Sequence, residues 1–287
     1  MNGRVVLAIH GGAGPLPSDA GARAEAERAL ADALGVGRRI LDGGGPALDA
    51  VEAAVAAMEA SGCFNAGRGA VVDRDGAVTL DAAIMDGATQ ATGAVAAVAG
   101  LASAIRAARL VMDRTPHVLL VGPAADRFAL DAGVAVAPPG YFRRAPAADQ
   151  GTVGAVAHDR NRRLAAATST GGLAGKLPGR VGDSALAGAG TWADAGCAVS
   201  ATGAGEYFIR AAFASRLAWS VGELRLPVAA AAERALAEVV RLGGRGGCIA
   251  IDAAGNVAMP FSTPVMYRGV AADGDPPRIQ VVRREIS

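Results

Sequence analysis

Aromatic side chains, lysine, long apolar runs and any excess of one charge are all scarce in this 287-residue sequence. Aromatics make up 4% of it, so a core has to come from Ala, Val, Leu and Ile packed around 40 glycines. With 28 basic against 27 acidic residues the net charge is +1, which gives no long-range field to hold a polyanion; nucleic acid is excluded as a partner. Cys63, Cys197 and Cys248 are too scattered for a metal knuckle or a disulfide framework, which reads as a reducing compartment. The apolar run Val5–Ile9 is too short for a signal-peptide core, and the weakly apolar Ala94–Ile105 falls short of a membrane span. A cytoplasmic protein with no membrane partner is the expectation. Of the 28 basic residues a single one, Lys176, is lysine.

Common catalytic signatures are missing too. The chain has no GxSxG elbow, no HExxH and no GxxxxGK[ST] phosphate loop. Gly188–Ala193 fits a dinucleotide-binding pattern, but it follows Ser184–Ala187 rather than a strand. His10, His117 and His158 lie apart at strand ends and in a hairpin, and read as structural.

What is present is a 52% hydrophobic content, ample for one large domain, and a clear alternation of patterns. Val5–Ile9 reads as a buried strand ending in a glycine turn at His10–Gly14. Helical spacing marks Arg23–Leu34, Pro46–Glu59, Leu101–Arg114, Ala124–Ala132, Glu206–Trp219 and Val228–Leu242. Strands are expected at Ile84–Met85, Gly93–Ala99, Val118–Val121, Val153–His158, Leu164–Thr170, Cys248–Asp252 and Val257–Phe261. A hairpin is expected at Val71–Leu80 around Asp75-Gly76. The stretch 134–151, with Pro138, Pro139, Gly140 and Pro146, resists helix and sheet and reads as a flexible linker. Gly154–Thr170 aligns without gaps on Gly247–Thr263, two comparable hairpins. Antiparallel hairpins and long helices together give an α+β architecture with two sheets between helical layers.

Chemistry-bearing residues gather after the linker. Gly151-Thr152 meets a strand; Thr168-Ser169-Thr170-Gly171-Gly172 closes the next one; Arg180 and Asp183 set opposite charges three residues apart in a glycine-rich loop. Ser200–Glu206 runs from a strand toward a helix start, where backbone N–H groups suit a developing oxyanion.

Eight runs in order, HGGAG (10–14), FNAGRGAV (64–71), LDAAIMDG (80–87), TPHVLLVG (115–122), GTVGAVA (151–157), ATSTGG (167–172), KLPGRVGDS (176–184) and SATGAGE (200–206), make the sequence resemble the plant-type asparaginase/isoaspartyl aminopeptidase family of N-terminal-nucleophile hydrolases. The resemblance implies a four-layer αββα sandwich in a single domain that cuts itself between Gly151 and Thr152, giving an α chain 1–151 and a β chain 152–287. It makes Thr152 the nucleophile, whose freed α-amine, with an ordinary pKa of about 8, serves as base. It implies that Thr170 tunes the nucleophile and that Asn65 helps arrange the site. Thr202 and the Gly203 N–H would form the oxyanion hole. Arg180 would grip a substrate α-carboxylate in a two-pronged contact, Asp183 would take the α-ammonium, and Gly205 would line the pocket. The substrates implied are L-asparagine and β-aspartyl dipeptides, with no cofactor for catalysis, in a homodimer of αβ units. The resemblance also implies a structural sodium on the backbone carbonyls of Met58, Glu59, Ser61, Phe64, Ala66 and Arg68, where Arg68 replaces an expected apolar residue. Two alternatives stay open: a glycosylasparaginase, opposed by Gly151 and by the lack of an export signal, and a non-processing amino-acid-binding homologue, opposed by the intact residue set.

Overall fold

The computed structural model describes residues 3–15, 19–142 and 151–283. Among these the chain runs β1 (Val6–Gly14), α1 (Ala20–Asp42), α2 (Ala47–Ser61), β2 (Leu80–Asp86), β3 (Thr92–Val98), α3 (Ala104–Arg114), β4 (Leu119–Val121) and α4 (Gly122–Asp131). It continues with β5 (Val153–His158), β6 (Leu164–Thr170), β7 (Thr191–Ala193), β8 (Cys197–Gly203), α5 (Gly205–Ala211), α6 (Phe213–Gly222), α7 (Val228–Arg241), β9 (Gly246–Asp252), β10 (Val257–Ala258), β11 (Val265–Ala272) and β12 (Asp275–Arg283). One sheet has eight strands in the order β12-β11-β1-β5-β6-β2-β3-β4, antiparallel except for β3 with β4. The other has four antiparallel strands, β10-β9-β8-β7.

Period-two alternation along the strands sorts side chains into three apolar layers. Leu7 and Ile9 of β1 pack with Leu30 and Leu34 of α1 and with Val51, Val55 and Met58 of α2. Their neighbours Val6 and Ala8 point the other way, meeting Val156, Ala166, Ile249 and Ile251 between the sheets. Val199 and Ala201 of β8 face Phe208, Phe213 and Leu217 on the outer side of the small sheet. The result is an αββα sandwich, as the sequence implies.

Several boundaries differ from the sequence reading. β1 does not stop at His10; it passes through a bulge between His10 and Gly12 and keeps pairing with β11 as far as Gly14. Residues 71–79 form a turn rather than a hairpin, because the Asp73 carboxylate takes the Ala77 N–H and the Lys176 carbonyl takes the Arg74 N–H, the two donors that flank Asp75-Gly76. The helix expected over Glu206–Trp219 breaks at Ala212, whose φ is 46°. Strands β7, β11 and β12 were not anticipated; Pro276 and Pro277 argue against a strand, yet β12 lies at the sheet edge, where a missing N–H is tolerated. The first part of the linker is fastened down, with Val136 bridging Leu101 and the Tyr141 hydroxyl donating to the Ala102 carbonyl at 3.0 Å. Its remainder, including Pro146, Asp149 and Gln150, lies outside the described residues.

At one end the filling between the sheets turns polar. His10 Nε2 lies 2.9 Å from Ser200 Oγ, which lies 2.8 Å from Thr168 Oγ1. Thr191 Oγ1 in turn lies 2.6 Å from Thr168 Oγ1 and 3.1 Å from the Ser184 carbonyl. All four side chains are buried, and burial pushes the His10 imidazole down to about 3, so it is neutral. This chain of groups stitches β1 and β6 of the large sheet to β7 and β8 of the small one. Gly154, facing it from β5, has no room for a side chain: a Cβ there would overlap Ser200 Oγ and His10 Nε2. Gly154→Ala is therefore expected to cost about 3 kcal/mol through overpacking, read as a lower urea midpoint. An unchanged midpoint would show that the inter-sheet layer has slack.

Candidate active site

Next to this polar stitch, the residues singled out in the second half of the sequence converge. β5 lies between β1 and β6, and its alternation turns Thr152, like Gly154 and Val156, toward the opposing sheet. Thr152 is buried, and its Oγ1 donates to Thr170 Oγ1 at 3.0 Å. Thr170, the last residue of β6, also accepts the Gly172 N–H at 3.0 Å. Asn65 fixes that turn from below: its carbonyl accepts the Gly171 N–H at 2.9 Å, its Nδ2 donates to the Gly172 carbonyl at 2.6 Å, and its Oδ1 accepts the Val71 N–H at 3.0 Å. The Asn65 side chain is thus occupied by the turn beside Thr170 rather than by Thr152.

The small sheet closes the site from the other side. Thr202, near the end of β8, is fully buried, and its Oγ1 has no hydrogen-bond partner among the described residues. A Cβ built on Gly151 would lie 2.9 Å from that oxygen, so the unused hydroxyl stands against the Gly151-Thr152 step. A buried hydroxyl without a partner is costly, and such groups cluster where a ligand or a reacting atom completes them. Gly203 follows at the strand end.

Arg180 and Asp183, three residues apart, are not paired with each other. Arg180 is mostly buried and grips Glu206 with both prongs, Nε to Oε1 at 2.8 Å and Nη2 to Oε2 at 2.9 Å. Arg180 holds the Glu206 carboxyl below its usual range. One edge of the guanidinium is therefore already taken, and the Nη1 side is the part left for a ligand. Glu206 is a site residue to which the sequence reading gave no role, although it stands inside the SATGAGE run; only the partner of Arg180 could have revealed it. Asp183 opens a short 3-10 turn, Asp183–Ala185, and its Oδ2 is buried without a partner. Two glycines keep space beside it: a Cβ on Gly205 would lie 2.6 Å from Oδ1, and one on Gly190 would lie 2.8 Å from Oδ2. Burial pushes the Asp183 carboxyl up to about 7, against the pull of its own backbone N–H and of Arg180. A buried carboxylate with an open oxygen is a place for a cationic group.

No cluster of three or more His, Cys, Asp or Glu side chains suits a metal ion among the described residues. Backbone carbonyls do gather in the 58–69 segment. A Cβ on Gly69 would lie 2.8 Å from the Gly62 carbonyl and overlap that of Phe64, while one on Gly67 would lie 2.7 Å from the Glu59 carbonyl. The Met58 carbonyl accepts the Ser61 hydroxyl at 2.8 Å and that of Phe64 accepts the Ala66 N–H at 2.8 Å, leaving each a second lone pair. Uncharged oxygens at the C-terminal end of α2 are a donor set suited to a hard monovalent cation.

Comparison with known proteins identifies the family of the chain. A family model described as asparaginase matches residues 3–147 and 141–281. An isoaspartyl peptidase of Salmonella typhimurium is 44% identical, over 98% of this chain and 99% of its own length. That of Escherichia coli is 44% identical over 99% and 98%, respectively. A plant-type L-asparaginase of Pyrobaculum calidifontis is 44% identical over 94% of this chain and 97% of its own. With a match that runs through both halves of the sandwich and through every run quoted above, the chain belongs to the asparaginase family.

Proposed function

We propose that this chain is an isoaspartyl peptidase and L-asparaginase that exposes its own nucleophile by cutting between Gly151 and Thr152. The observation that carries the reading is the meeting of Thr152 and Thr170 from one sheet with the unpartnered Thr202 hydroxyl from the other, at the Gly151-Thr152 step. In the intact chain the Thr152 nitrogen is an amide and cannot serve as a base. Attack of Thr152 Oγ1 on the Gly151 carbonyl converts the peptide to an ester, with Thr202 donating to the oxyanion; water then splits the ester into chains 1–151 and 152–287, which stay in one folded domain. The freed α-amine, ordinarily near pKa 8, takes the proton from its own hydroxyl in each later turnover.

The substrate is an L-aspartyl unit carrying an amide on its β-carbonyl. Its α-carboxylate lies on the free Nη1 side of Arg180 and its α-ammonium on Asp183, with Gly205 giving it room. Thr152 Oγ1 adds to the β-carbonyl, Thr202 and the Gly203 N–H stabilise the oxyanion, and the leaving nitrogen departs protonated, as ammonia from L-asparagine or an amino acid from a β-aspartyl dipeptide. Water hydrolyses the acyl-enzyme and L-aspartate leaves. Asn65 acts on this site by holding the Gly171–Gly172 turn. No cofactor enters the chemistry. A structural sodium on the carbonyls of Met58, Glu59, Ser61, Phe64, Ala66 and Arg68 belongs to the same reading and would brace the loop that carries Asn65. So does a homodimer of αβ units, for which the family likeness is the support. Among the described residues no helix is long and apolar enough to cross a membrane, and the three cysteines are free thiols, which supports a cytoplasmic enzyme.

Three outcomes test the proposal. Thr152→Ala stays a single chain and releases no ammonia from L-asparagine; a processed, active variant removes Thr152 from its role. Arg180→Ala still processes but raises KM about 10–100-fold, the worth of a charge-assisted contact; unchanged KM moves the carboxylate site elsewhere. The third is a pH effect. With a carboxyl near 7, Asp183 is neutral below that pH and loses its hold on the ammonium. L-Aspartate affinity therefore weakens about tenfold for each unit below pH 7, and Asp183→Asn flattens the profile. A flat wild-type profile contradicts the assignment.

A further inference from the structure

The single lysine has no part in the steps above. Lys176 is 6% exposed, and its ammonium donates to two backbone carbonyls, Thr79 at 3.0 Å and Gly171 at 2.9 Å. The groups that face it are Asp81 of β2, Asp73 in the turn before β2 and Arg180 of its own loop. Both carboxylates have other work: Asp81 accepts the Ala97 and Gly182 N–H groups, and Asp73 those of Asp75 and Ala77. A buried ammonium resting on carbonyls alone is expensive, and burial holds its pKa below the ordinary value. Every other basic residue is arginine. At this position the backbone leaves little width, since a Cβ on Gly172 would lie 2.9 Å from Lys176 Cδ and Nζ and 3.3 Å from Arg180 Nη1. A compact ammonium fits there where a second planar guanidinium would crowd the first.

The Gly171 carbonyl that Lys176 holds belongs to the turn beside Thr170. Lys176 takes that carbonyl, the Asn65 carbonyl takes the Gly171 N–H, and Asn65 Nδ2 takes the Gly172 carbonyl. With these groups fixed, the Gly172 N–H is aimed at Thr170 Oγ1. Thr170 then accepts from both Gly172 and Thr152, which fills both lone pairs of its oxygen. We propose that Lys176 is a positioning residue for hydrolysis: through Gly171 it holds the Gly172 N–H on Thr170, fixing the hydroxyl that touches Thr152. The inference rests on the reading of Thr152 as nucleophile.

Lys176→Met keeps the length of the side chain and removes its donors. Measured per mole of processed chain on a β-aspartyl dipeptide, kcat falls about tenfold or more while KM stays within about threefold of wild type. A raised KM with normal kcat would make Lys176 a substrate-binding cation instead, and unchanged constants would make it a bystander; either overturns the proposal. Wild-type turnover in the same assay checks the underlying reading separately. If the variant does not fold, the wild-type protein still decides. Fed with ε-carbon-13 lysine, it shows one lysine resonance. That signal is expected to titrate below the ordinary lysine value of about 10.4 and to move when L-aspartate saturates the site. Ordinary titration with no response to L-aspartate contradicts the proposal.

Discussion

Everything in the proposed site depends on holding two separate sheets face to face at one fixed spacing. Thr152 and Thr170 stand on the eight-stranded sheet; Thr202 and Gly203 stand on the four-stranded one. Apolar packing between the sheets supplies adhesion but little directional preference, because Ala, Val and Ile faces slide past one another with small loss. The His10–Ser200–Thr168–Thr191 chain supplies what the apolar layer cannot. Its bonds have narrow length and angle limits, and it sits beside β5, the strand that follows Thr152. Among its side-chain polar atoms only His10 Nδ1 is without a partner among the described residues, and buried bonds of this kind favour one arrangement of their neighbours.

The same economy governs the charges. Arg180, Asp183 and Lys176 are all largely buried, and none of the three is neutralised by another of them. Arg180 is aligned by Glu206, Asp183 is left with an open oxygen, and Lys176 rests on carbonyls. In water these groups would satisfy themselves; here the Arg180 Nη1 side and Asp183 Oδ2 are left open, and the proposed function assigns them to a zwitterionic head group. The Thr202 hydroxyl, unpartnered among the described residues, is open in the same way, and the proposed function gives it the charge that develops during reaction.

The sequence discloses the sandwich and the residues of the site better than their contacts. Helices were legible because burial on one face sets an apolar period of 3.6, as in α2, and inner strands because burial on both faces gives a short continuous run of small apolar residues, as in β5. The edge strand β12 was not, since Pro276 and Pro277 hide a strand that needs no outward N–H. The hairpin expected at 71–80 failed because the Asp73 carboxylate and the Lys176 carbonyl take the backbone donors that flank its turn. At the site, motif order picked out Thr152, Arg180 and Asp183, while spacing along the chain could not say that Arg180 turns to Glu206 rather than to Asp183. The polar stitch between sheets was invisible for the same reason: His10, Thr168, Thr191 and Ser200 come from four strands, and nothing local links them.

Self-cleavage is the claim on which nucleophile, base and reaction class all rest. The direct measurement is the intact mass of purified, denatured protein followed over time near pH 7.5. Conversion into two chains divided between Gly151 and Thr152, with hydrolysis of β-aspartyl dipeptides appearing in step, is the predicted result. A single full-length species that turns over substrate at full rate would contradict the account, because catalysis would then be proceeding without the α-amine of Thr152.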